Sequence, residues 1–426
     1  MNTEIMDNTA EKEPFVVMAK PVGSVCNLRC EYCYYLGTDD AVGTAPAARM
    51  SDETLEKFIR SYIEECGGDT VRFTWHGGEP TLAGLDFYKK AVSLQKKYLP
   101  EGKECWNNLQ TNGMLLDDEW CSFLAEEKFD VGLSIDGARW VHDRYRRDAA
   151  GDATYERVYD TAKRLMAHGV KPDLLCTVTS DSAEDPLSVY RALKNLDTGW
   201  MQFIPIVRHM PDGTVTPDSV TPEQYGKFLS EIFDEWILND VGRTGVQLFA
   251  ETAMCLNGGS PSLCWMAPTC GRVLIVERDG SVYSCDHFVD TEHKMGTLED
   301  GLRSLADSGR QRKFGEDKRD TLTKQCRECR YLSMCGGGCM KDRFALSDSG
   351  EIGQYYLCDG LRSFFAHAEE KLAKLVIMSR QGMKPAAIME KLREEEREKW
   401  KGIGRNDPCP CGSGKKAKNC CWNRKP

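Results

Sequence analysis

The sequence of 426 residues predicts an α/β protein: a partial (β/α)6 barrel, then a cysteine-rich domain and a small cysteine-containing tail. Short apolar runs alternate with amphipathic helix patterns six times in the first 240 residues, which is typical of a parallel sheet with right-handed crossovers. From about residue 255 onward, closely spaced cysteines replace this alternation. Because six units are two fewer than a closed eight-stranded barrel contains, we expect an open barrel.

Local patterns predict each element of the barrel. The predicted strands are the apolar runs at 15–19, 71–75, 105–110, 129–135, 174–179 and 200–206. The predicted helices lie near 51–65, 85–98, 117–127, 154–168, 186–195 and 222–238. The clearest helix starts at Ser51, a residue type that caps helices, and places Asp52 and Glu53 at the positive end of the helix dipole.

Polar and glycine-rich segments follow four of the predicted strands. They are the loop that contains Cys26, Cys30 and Cys33, the segment His76-Gly77-Gly78-Glu79-Pro80, the segment Gln110-Thr111-Asn112-Gly113, and Asp136-Gly137 with Ser134 before it. The carboxyl ends of parallel strands meet at one edge of the barrel, where ligands bind. We expect these four segments to gather on this edge, which we call the rim.

The first of these segments has the spacing C-x3-C-x2-C at Cys26, Cys30 and Cys33. Three thiolates can hold three irons of a four-iron cluster and leave the fourth iron for a small molecule, whereas a cluster that only transfers electrons takes a fourth cysteine. The alternative, a structural zinc site, requires four ligands and usually paired C-x2-C knuckles. The spacing therefore favours a reactive cluster, whose open iron can chelate the amino and carboxylate groups of a methionine moiety.

Eight further cysteines occur between residues 264 and 358. They are Cys264, Cys270, Cys285, Cys326, Cys329, Cys335, Cys339 and Cys358. Eight thiolates suffice for two complete four-iron clusters, which would have no free iron and would conduct electrons rather than bind substrate. Two zinc sites with the same ligands are the alternative.

Composition limits the class of protein. Twenty cysteines without a secretory signal indicate metal ligands rather than disulfides, and hence a cytoplasmic protein. The sequence has no run of eighteen apolar residues, so no membrane span is predicted, and the net charge of −10 argues against nucleic acid as a specific partner. The segment from residue 401 to the end is different, since it carries seven basic residues and one acidic residue.

The C-terminal segment also contains the pattern C-x-C-x8-C-C at Cys409, Cys411, Cys420 and Cys421. Four thiolates suit a closed tetrahedral Zn²⁺ site, and a segment this short requires a metal to fold. Its basic surface suits an acidic partner such as a ribosome or another protein. The other interpretation, an accessory tail, stays open at this point.

The motifs C-N-L-R-C-E-Y-C-Y and G-G-E-P resemble those of the radical S-adenosylmethionine (SAM) superfamily. The resemblance implies that SAM binds the open iron and is cleaved to a 5′-deoxyadenosyl radical, which removes hydrogen from unactivated carbon. It also implies contacts of SAM with residues of the rim. Tyr32 is expected near the adenine, Ser134 and Arg146 near the methionine and ribose, and Gly77, Gly78 and Glu79 at the close approach of the backbone, where the Glu79 carboxylate accepts from the ammonium group.

The second cysteine region resembles the SPASM domain, which holds two auxiliary [4Fe–4S] clusters, so three clusters are implied in all. The resemblance assigns Cys264, Cys270, Cys285 and Cys339 to one auxiliary cluster. It assigns Cys326, Cys329, Cys335 and Cys358 to the other. The last cysteine motif resembles the SEC-C zinc motif.

Four segments together resemble the anaerobic sulfatase-maturating enzymes over residues 15–375. These are M-A-K-P-V-G-S-V-C-N-L-R-C-E-Y-C-Y-Y-L, H-G-G-E-P, F-I-P-I-V and V-Y-S-C-D-H-F. The resemblance makes Asp286 the general base and an unfolded sulfatase peptide with a C/S-x-P/A-x-R core the substrate. Two positions depart from the family pattern: His76 stands where some members have glutamine, and C-G-G-G-C-M-K replaces C-G-G-x-C-P-K.

The implied reaction converts a cysteine or a serine to Cα-formylglycine. The radical takes a hydrogen from Cβ, Asp286 takes the thiol or hydroxyl proton, and the remaining electron passes to an auxiliary cluster. A flavodoxin- or ferredoxin-like protein is the expected reductant. The sequence leaves two other functions open: a SPASM peptide maturase that forms thioether or carbon–carbon crosslinks, and a metal-binding adaptor that recruits partners through its tail.

The same patterns predict the domain boundaries. We expect a flexible tail at 1–14, the radical SAM barrel at 15–245, the SPASM domain at 250–378, a solvated charged helical linker at 379–402 and the SEC-C motif at 403–426.

Overall fold

The computed structural model describes residues 13–38, 42, 49–410, 414–419 and 422. The barrel part is a curved sheet in which six strands pair in parallel and in sequence order, which confirms the predicted partial barrel. These strands are β1 (Val16–Lys20), β2 (Thr70–Trp75), β3 (Glu104–Thr111), β4 (Asp130–Ser134), β5 (Asp173–Val178) and β6 (Trp200–Pro205).

The sheet continues beyond the barrel on both sides, which the sequence patterns did not predict. The additional strands are β7 (Gly245–Val246), β8 (Val273–Glu277), β9 (Ser281–Tyr283) and β10 (Lys294–Thr297). Among the described residues the strand order is β10-β9-β8-β1-β2-β3-β4-β5-β6-β7, and β8 pairs in parallel with β1. The cysteine-rich region therefore shares one sheet with the barrel, because β8 uses the edge of β1 that the open barrel leaves free.

Helices cover the outer side of the barrel at the predicted positions. They are α1 (Asp52–Glu65), α2 (Leu85–Tyr98), α3 (Asp118–Glu126), α4 (Arg139–Tyr145), α5 (Tyr155–Ala167), α6 (Pro186–Lys194) and α7 (Pro222–Asn239). Only the short α4 was not predicted. The Ser51 side chain accepts from the backbone N–H of Thr54, as its capping role requires.

Short elements dominate the cysteine-rich region. They are α8 (Gln247–Leu256), α9 (Leu302–Ala306), α10 (Gly309–Asp320), α11 (Lys324–Arg327), α12 (Leu332–Cys335) and the hairpin strands β11 (Ala345–Leu346) and β12 (Ile352–Gln354). Two longer helices follow, α13 (Cys358–Arg380) and α14 (Pro385–Lys399). Helix α13 packs across α7 and α8, so the cysteine-rich region contacts the barrel through both a sheet and a helix layer.

The charged segment 379–402 is helical, but it is not the fully solvated linker that its composition predicted. Helix α14 buries Ile388 and Leu392, which lie one helical turn apart, against the α7 and α13 layer. Salt bridges join the same layer: Lys374 to Glu395 at 2.6 Å is one example. Two apolar residues at helical spacing therefore outweigh the charge-rich composition. Among the described residues, no helix is both long and apolar enough to cross a membrane.

Helices α7 and α13 approach closely where two glycines face each other. A Cβ atom added to Gly360 would lie 2.1 Å from the backbone oxygen of Pro222, and one added to Gly226 would lie 2.8 Å from the Gly360 oxygen. Neither contact leaves room for a side chain. The separation of the two helices is therefore set by the absence of Cβ atoms.

We expect Gly360→Ala to lower the free energy of unfolding by about 1–3 kcal/mol, because the new methyl group must push the two helices apart. Urea unfolding under anaerobic conditions measures this change. Gly309→Ala is the matched control, since it adds the same methyl group at the start of α10 with nothing within 4 Å. An unchanged midpoint for Gly360→Ala would contradict the close-packing argument.

Candidate active site and iron–sulfur centres

The thiols of Cys26, Cys30 and Cys33 lie near one another in the loop that follows β1. Burial raises the pKa of Cys26 to about 11 and that of Cys30 to about 12, and the Cys33 thiolate adds repulsion at both positions. Two amides approach the Cys26 Sγ: the Leu28 N–H at 3.3 Å and the Asn112 Nδ2 at 3.7 Å. Buried thiols with amide donors at sulfur fit an iron–sulfur cluster, whose iron charge offsets the repulsion between thiolates.

The Gly77-Gly78 turn lies directly against the cysteine loop. The Gly78 N–H donates to the Gly23 oxygen at 2.8 Å, and the Glu79 N–H donates to the Val25 oxygen at 2.9 Å. A Cβ atom on Gly78 would lie 2.1 Å from the Val25 oxygen. The glycine at this position is therefore required for contact between two loops of the protein, a role that the sequence interpretation, which considered only approach to a ligand, had missed.

Glu79 is fully buried and joins the second and third segments of the rim. Its Oε1 accepts from the Thr81 N–H at 3.0 Å and from the Thr111 Oγ1 at 2.7 Å, and its Oε2 accepts from the Asn112 N–H at 2.8 Å. Burial raises the pKa of Glu79 despite these donors. The carboxylate thus fixes the rim, and its contact with a substrate ammonium stays a prediction.

Asp136 is the centre of a buried network behind the cysteine loop. Its carboxylate accepts from the Tyr32 hydroxyl, from Arg146 Nε at 2.9 Å and from the Thr177 N–H at 2.9 Å. Burial alone would raise the pKa of Asp136, but the charge of Arg146, the neighbouring His142 and the hydrogen bonds from Tyr32 and Arg146 together lower it. The Tyr32 ring packs in the core against Tyr145, with the ring centres 5.6 Å apart, and the contact of Tyr32 with the adenine stays a prediction.

His142 completes this network from helix α4. Its Nδ1 accepts from the Asp136 N–H at 3.2 Å, so the proton lies on Nε2, which is 3.0 Å from Thr154 Oγ1. That hydroxyl in turn donates to the Arg146 backbone oxygen at 2.6 Å. Burial lowers the pKa of His142 to about 4, so the ring is neutral at pH 7. Ser134, on β4, accepts from Gln110 at 3.1 Å and links the third and fourth segments.

Asp286 lies in the turn that follows β9, at the end of β1. Its Oδ1 is paired with the Lys20 ammonium and its Oδ2 accepts from the Tyr34 hydroxyl. The Lys20 side chain is completely buried, whereas 17% of the Asp286 side chain is exposed. Burial by itself would raise the pKa of Asp286, but the Lys20 charge holds it well below its usual range, so Asp286 is a carboxylate.

His76 and Tyr35 surround the other side of the Lys20 ammonium. His76 Nδ1 lies 3.3 Å from Lys20 Nζ and also accepts from the Gly77 N–H at 2.8 Å, and the ammonium lies 4.1 Å from the centre of the Tyr35 ring. Burial and the Lys20 charge lower the pKa of His76 to about 4. Lys20 therefore connects three parts of the site: the cysteine loop, the H-G-G-E-P segment and the Asp286 turn.

The eight cysteines of the second region lie in two groups. In the first group, burial raises the pKa of Cys270 to about 11, and the neighbouring thiolates of Cys264 and Cys339 add to the rise; the same two thiolates act on Cys285. The second group lines one pocket and consists of Cys326, Cys329, Cys335 and Cys358. We refer to them as the first and second thiol groups.

Amide donors also reach sulfur atoms of the second thiol group. The Gly337 N–H lies 3.3 Å from Cys335 Sγ, and Gln354 Nε2 lies 2.9 Å from Cys358 Sγ. Among the described residues, no three His, Cys, Asp or Glu side chains meet closely enough to hold a single metal ion. The thiols of the second group instead line one pocket, and those of the first group lie close enough to act on one another's pKa. The donor chemistry of both groups fits clusters of several irons. Ligation by these residues stays a prediction.

Comparison with known proteins identifies the family. Residues 21–192 match the radical SAM superfamily profile, and residues 264–330 match the SPASM iron–sulfur cluster-binding domain. The chain is 42% identical to the serine-type anaerobic sulfatase-maturating enzyme of Bacteroides thetaiotaomicron, over 90% of this chain and 96% of that protein. The chain belongs to the anaerobic sulfatase-maturating enzymes. It is also 34% identical to the cysteine-type enzyme of Clostridium perfringens, over 84% of this chain and 97% of that protein.

Solved structures of this family share the fold. The chain matches native anSMEcpe with bound AdoMet and Kp18Cys peptide with a TM-score of 0.78 and 32% identity, over 85% of this chain and 99% of that chain. Streptococcus suis SuiB bound to S-adenosylmethionine matches with a TM-score of 0.57 and 15% identity, over 82% of this chain and 77% of that chain, a likeness of fold alone.

This sulfatase-maturating enzyme has a C-terminal segment that matches the SEC-C motif at residues 405–423. Cys409 is buried in a small cluster with Trp400 and Ala417. The other three cysteines of the predicted zinc site, Cys411, Cys420 and Cys421, lie outside the described residues. The zinc site therefore stays a prediction.

Three residues of the site were missed by sequence reasoning: Lys20, Tyr34 and His142. Asp136 was expected on the rim, but its role at the centre of a buried network was not. One signal was present, since Lys20 is a charged residue at the end of an apolar strand and directly before the cysteine loop. A charge at such a position is expected to be paired. Its partner could not be found in the sequence because Asp286 is 266 residues away.

The His142 network predicts a pH dependence of stability. The folded pKa of about 4 lies below the ordinary value of 6.5, so the stabilisation by neutral His142 is complete above pH 6.5 and is lost as the pH falls toward 4. The free energy of unfolding falls by about 3 kcal/mol at most from this cause. In anaerobic urea unfolding between pH 8 and 5, His142→Gln should show a shallower decline than the original protein. Parallel pH profiles for the two proteins would contradict this assignment.

Proposed function

We propose that this enzyme converts a cysteine or serine of an unfolded sulfatase polypeptide to Cα-formylglycine, in the cytoplasm. The observation that carries the proposal is the position of Asp286. It is an ionised carboxylate next to Cys285 of the first thiol group, and the contact with Lys20 holds it at the rim beside the cysteine loop. The family relationship supports sulfatase maturation, and the thiol-rich composition supports the reducing compartment.

We assign the cofactors to the residues as follows. Cys26, Cys30 and Cys33 would hold the SAM-binding cluster, the two thiol groups would each hold an auxiliary [4Fe–4S] cluster, and the C-terminal cysteines would hold Zn²⁺. Gly77, Gly78, Glu79, Ser134 and Arg146 would bind SAM, with Tyr32 near its adenine. When bound, SAM and the clusters supply the 5′-deoxyadenosyl radical and accept the electron left on the substrate.

The residues of the chain supply proton transfer and orientation. Asp286 takes the proton from the thiol or hydroxyl of the substrate, and Lys20 keeps it ionised and fixes the direction of its Oδ1 atom. The Tyr34 hydroxyl donates to Oδ2 of Asp286. Because the Tyr34 side chain is half exposed, it can move aside when the peptide enters. We expect a flavodoxin- or ferredoxin-like reductant, and an acidic partner for the basic C-terminal segment.

The target residue is tested with two peptides that share the C/S-x-P/A-x-R core and differ only in cysteine or serine. Relatives of both the serine type and the cysteine type match this chain, so we expect formylglycine from at least one peptide. Anaerobically reconstituted enzyme, SAM and reductant are added, and the products are weighed. A loss of two hydrogens without exchange of sulfur for oxygen in the cysteine peptide would instead indicate a crosslink and contradict the proposed function.

We expect Asp286→Asn to spare the cleavage of SAM while formylglycine falls by about 10²–10⁴-fold, because the amide cannot accept the substrate proton. Mass spectrometry of the peptide and chromatography of 5′-deoxyadenosine measure the two outcomes separately. Asparagine keeps the shape of the side chain and can still accept from Lys20. An unchanged yield of formylglycine would remove Asp286 from the mechanism.

Lys20→Met should lower formylglycine by about 10²-fold, because the base loses its anchor and a small displacement is costly to the reaction. The ratio of 5′-deoxyadenosine to formylglycine should rise, since SAM cleavage does not use Asp286. Lys194→Met is the matched control. Lys194 is the last residue of helix α6, and its Nζ lies 3.0 Å from Oδ2 of the buried Asp240, so this substitution also removes an ammonium from a buried carboxylate. Equal ratios in the two variants would contradict the role of Lys20.

A further inference from the structure

One loop carries a cysteine of each thiol group. Cys335 belongs to the second group and Cys339 to the first, and only Gly336, Gly337 and Gly338 separate them. All three glycines have positive φ, at 54°, 75° and 73°, a backbone conformation that side chains disfavour. A Cβ atom on Gly338 would also lie 2.3 Å from the Tyr355 ring. This packing accounts for the third glycine of C-G-G-G-C.

The guanidinium of Arg343 binds this loop through its backbone. Its Nε donates to the Gly337 oxygen at 2.8 Å, and its Nη2 donates to the oxygens of Gly336 at 3.0 Å and Gly338 at 3.3 Å. Its Nη1 donates to the Lys318 oxygen at 2.5 Å, which ties the loop to helix α10. One planar group therefore holds three successive carbonyl oxygens.

The charge of Arg343 lies near both thiol groups, because the guanidinium binds the three glycines that join Cys335 to Cys339. It acts on Cys326 and Cys335 of the second group and on Cys339 and Cys270 of the first. An arginine is protonated at every pH at which the protein is folded, so this charge is permanent. A fixed positive charge near a cluster favours the reduced form, which carries one more electron.

We propose that Arg343 is a positioning residue that sets the arrangement of the two auxiliary clusters and raises the reduction potential of both. The inference rests on the assignment of the two thiol groups to clusters under the proposed function. It concerns a residue that touches neither SAM nor peptide. If Arg343 has this role, the electron from the substrate enters two clusters whose potentials depend on the same positive charge.

The test is a redox titration followed by electron paramagnetic resonance. The full-length protein carries Cys26→Ala, Cys30→Ala and Cys33→Ala, so that every cluster signal belongs to the auxiliary clusters. Arg343→Gln, which removes the charge, should shift the midpoint potentials of both clusters to more negative values. Arg343→Lys, which keeps the charge but not the planar fork, should retain most of the original potential.

Arg303→Gln is the matched control. Arg303 also donates to backbone oxygens, those of Glu65 at the end of helix α1 and of Glu13 before strand β1. This substitution should leave both potentials unchanged. Unchanged potentials in Arg343→Gln would overturn the proposal, and so would loss of iron from that variant, which would mean that Arg343 only holds the loop. If the triple-alanine protein with Arg343 intact contained no iron, the assignment of the auxiliary clusters itself would be overturned. The proposed function is tested separately, by formylglycine formation in the original enzyme.

Discussion

The buried ion pair between Lys20 and Asp286 is the interaction on which the site depends. Lys20 ends the first barrel strand, and Asp286 belongs to the cysteine-rich region, 266 residues later. The pair forms because β8 continues the barrel sheet next to β1, which brings the turn after β9 to the rim. A buried ammonium requires a partner, so the sheet extension, which brings Asp286 to Lys20, prevents an unpaired buried charge.

The second constraint is the burial of thiols. Burial raises the pKa of many of these cysteines, and neighbouring thiolates repel one another. Thiolates at these positions therefore require positive charge or hydrogen-bond donors nearby. Amide donors at sulfur and the cations Arg146 and Arg343 meet part of this requirement. The remainder is what iron would supply. Gly78 packs closely against the backbone of Val25 in the first cysteine loop, and Gly338 packs closely against the Tyr355 ring.

Sequence reasoning succeeded where a local pattern has one structural solution. The six strands and their helices follow from periodicity, and Ser51 caps its helix as expected, because such features involve neighbours in the chain. It failed where a residue serves a distant partner. Lys20 pairs with Asp286, which is 266 residues away, and Ile388 and Leu392 bury a helix whose composition is that of a solvated segment.

The amino-acid sequence by itself determined the number of barrel units, the spacing of the clustered cysteines and the chemistry that those spacings suit. Only the tertiary structure decided that β8 joins β1, that Lys20 meets Asp286, and that Arg343 binds the loop that joins the two thiol groups. The physical reason is range. Periodicity and ligand spacing are local along the chain, whereas the pairing of buried charges depends on contacts that form only after the sheet has closed around them.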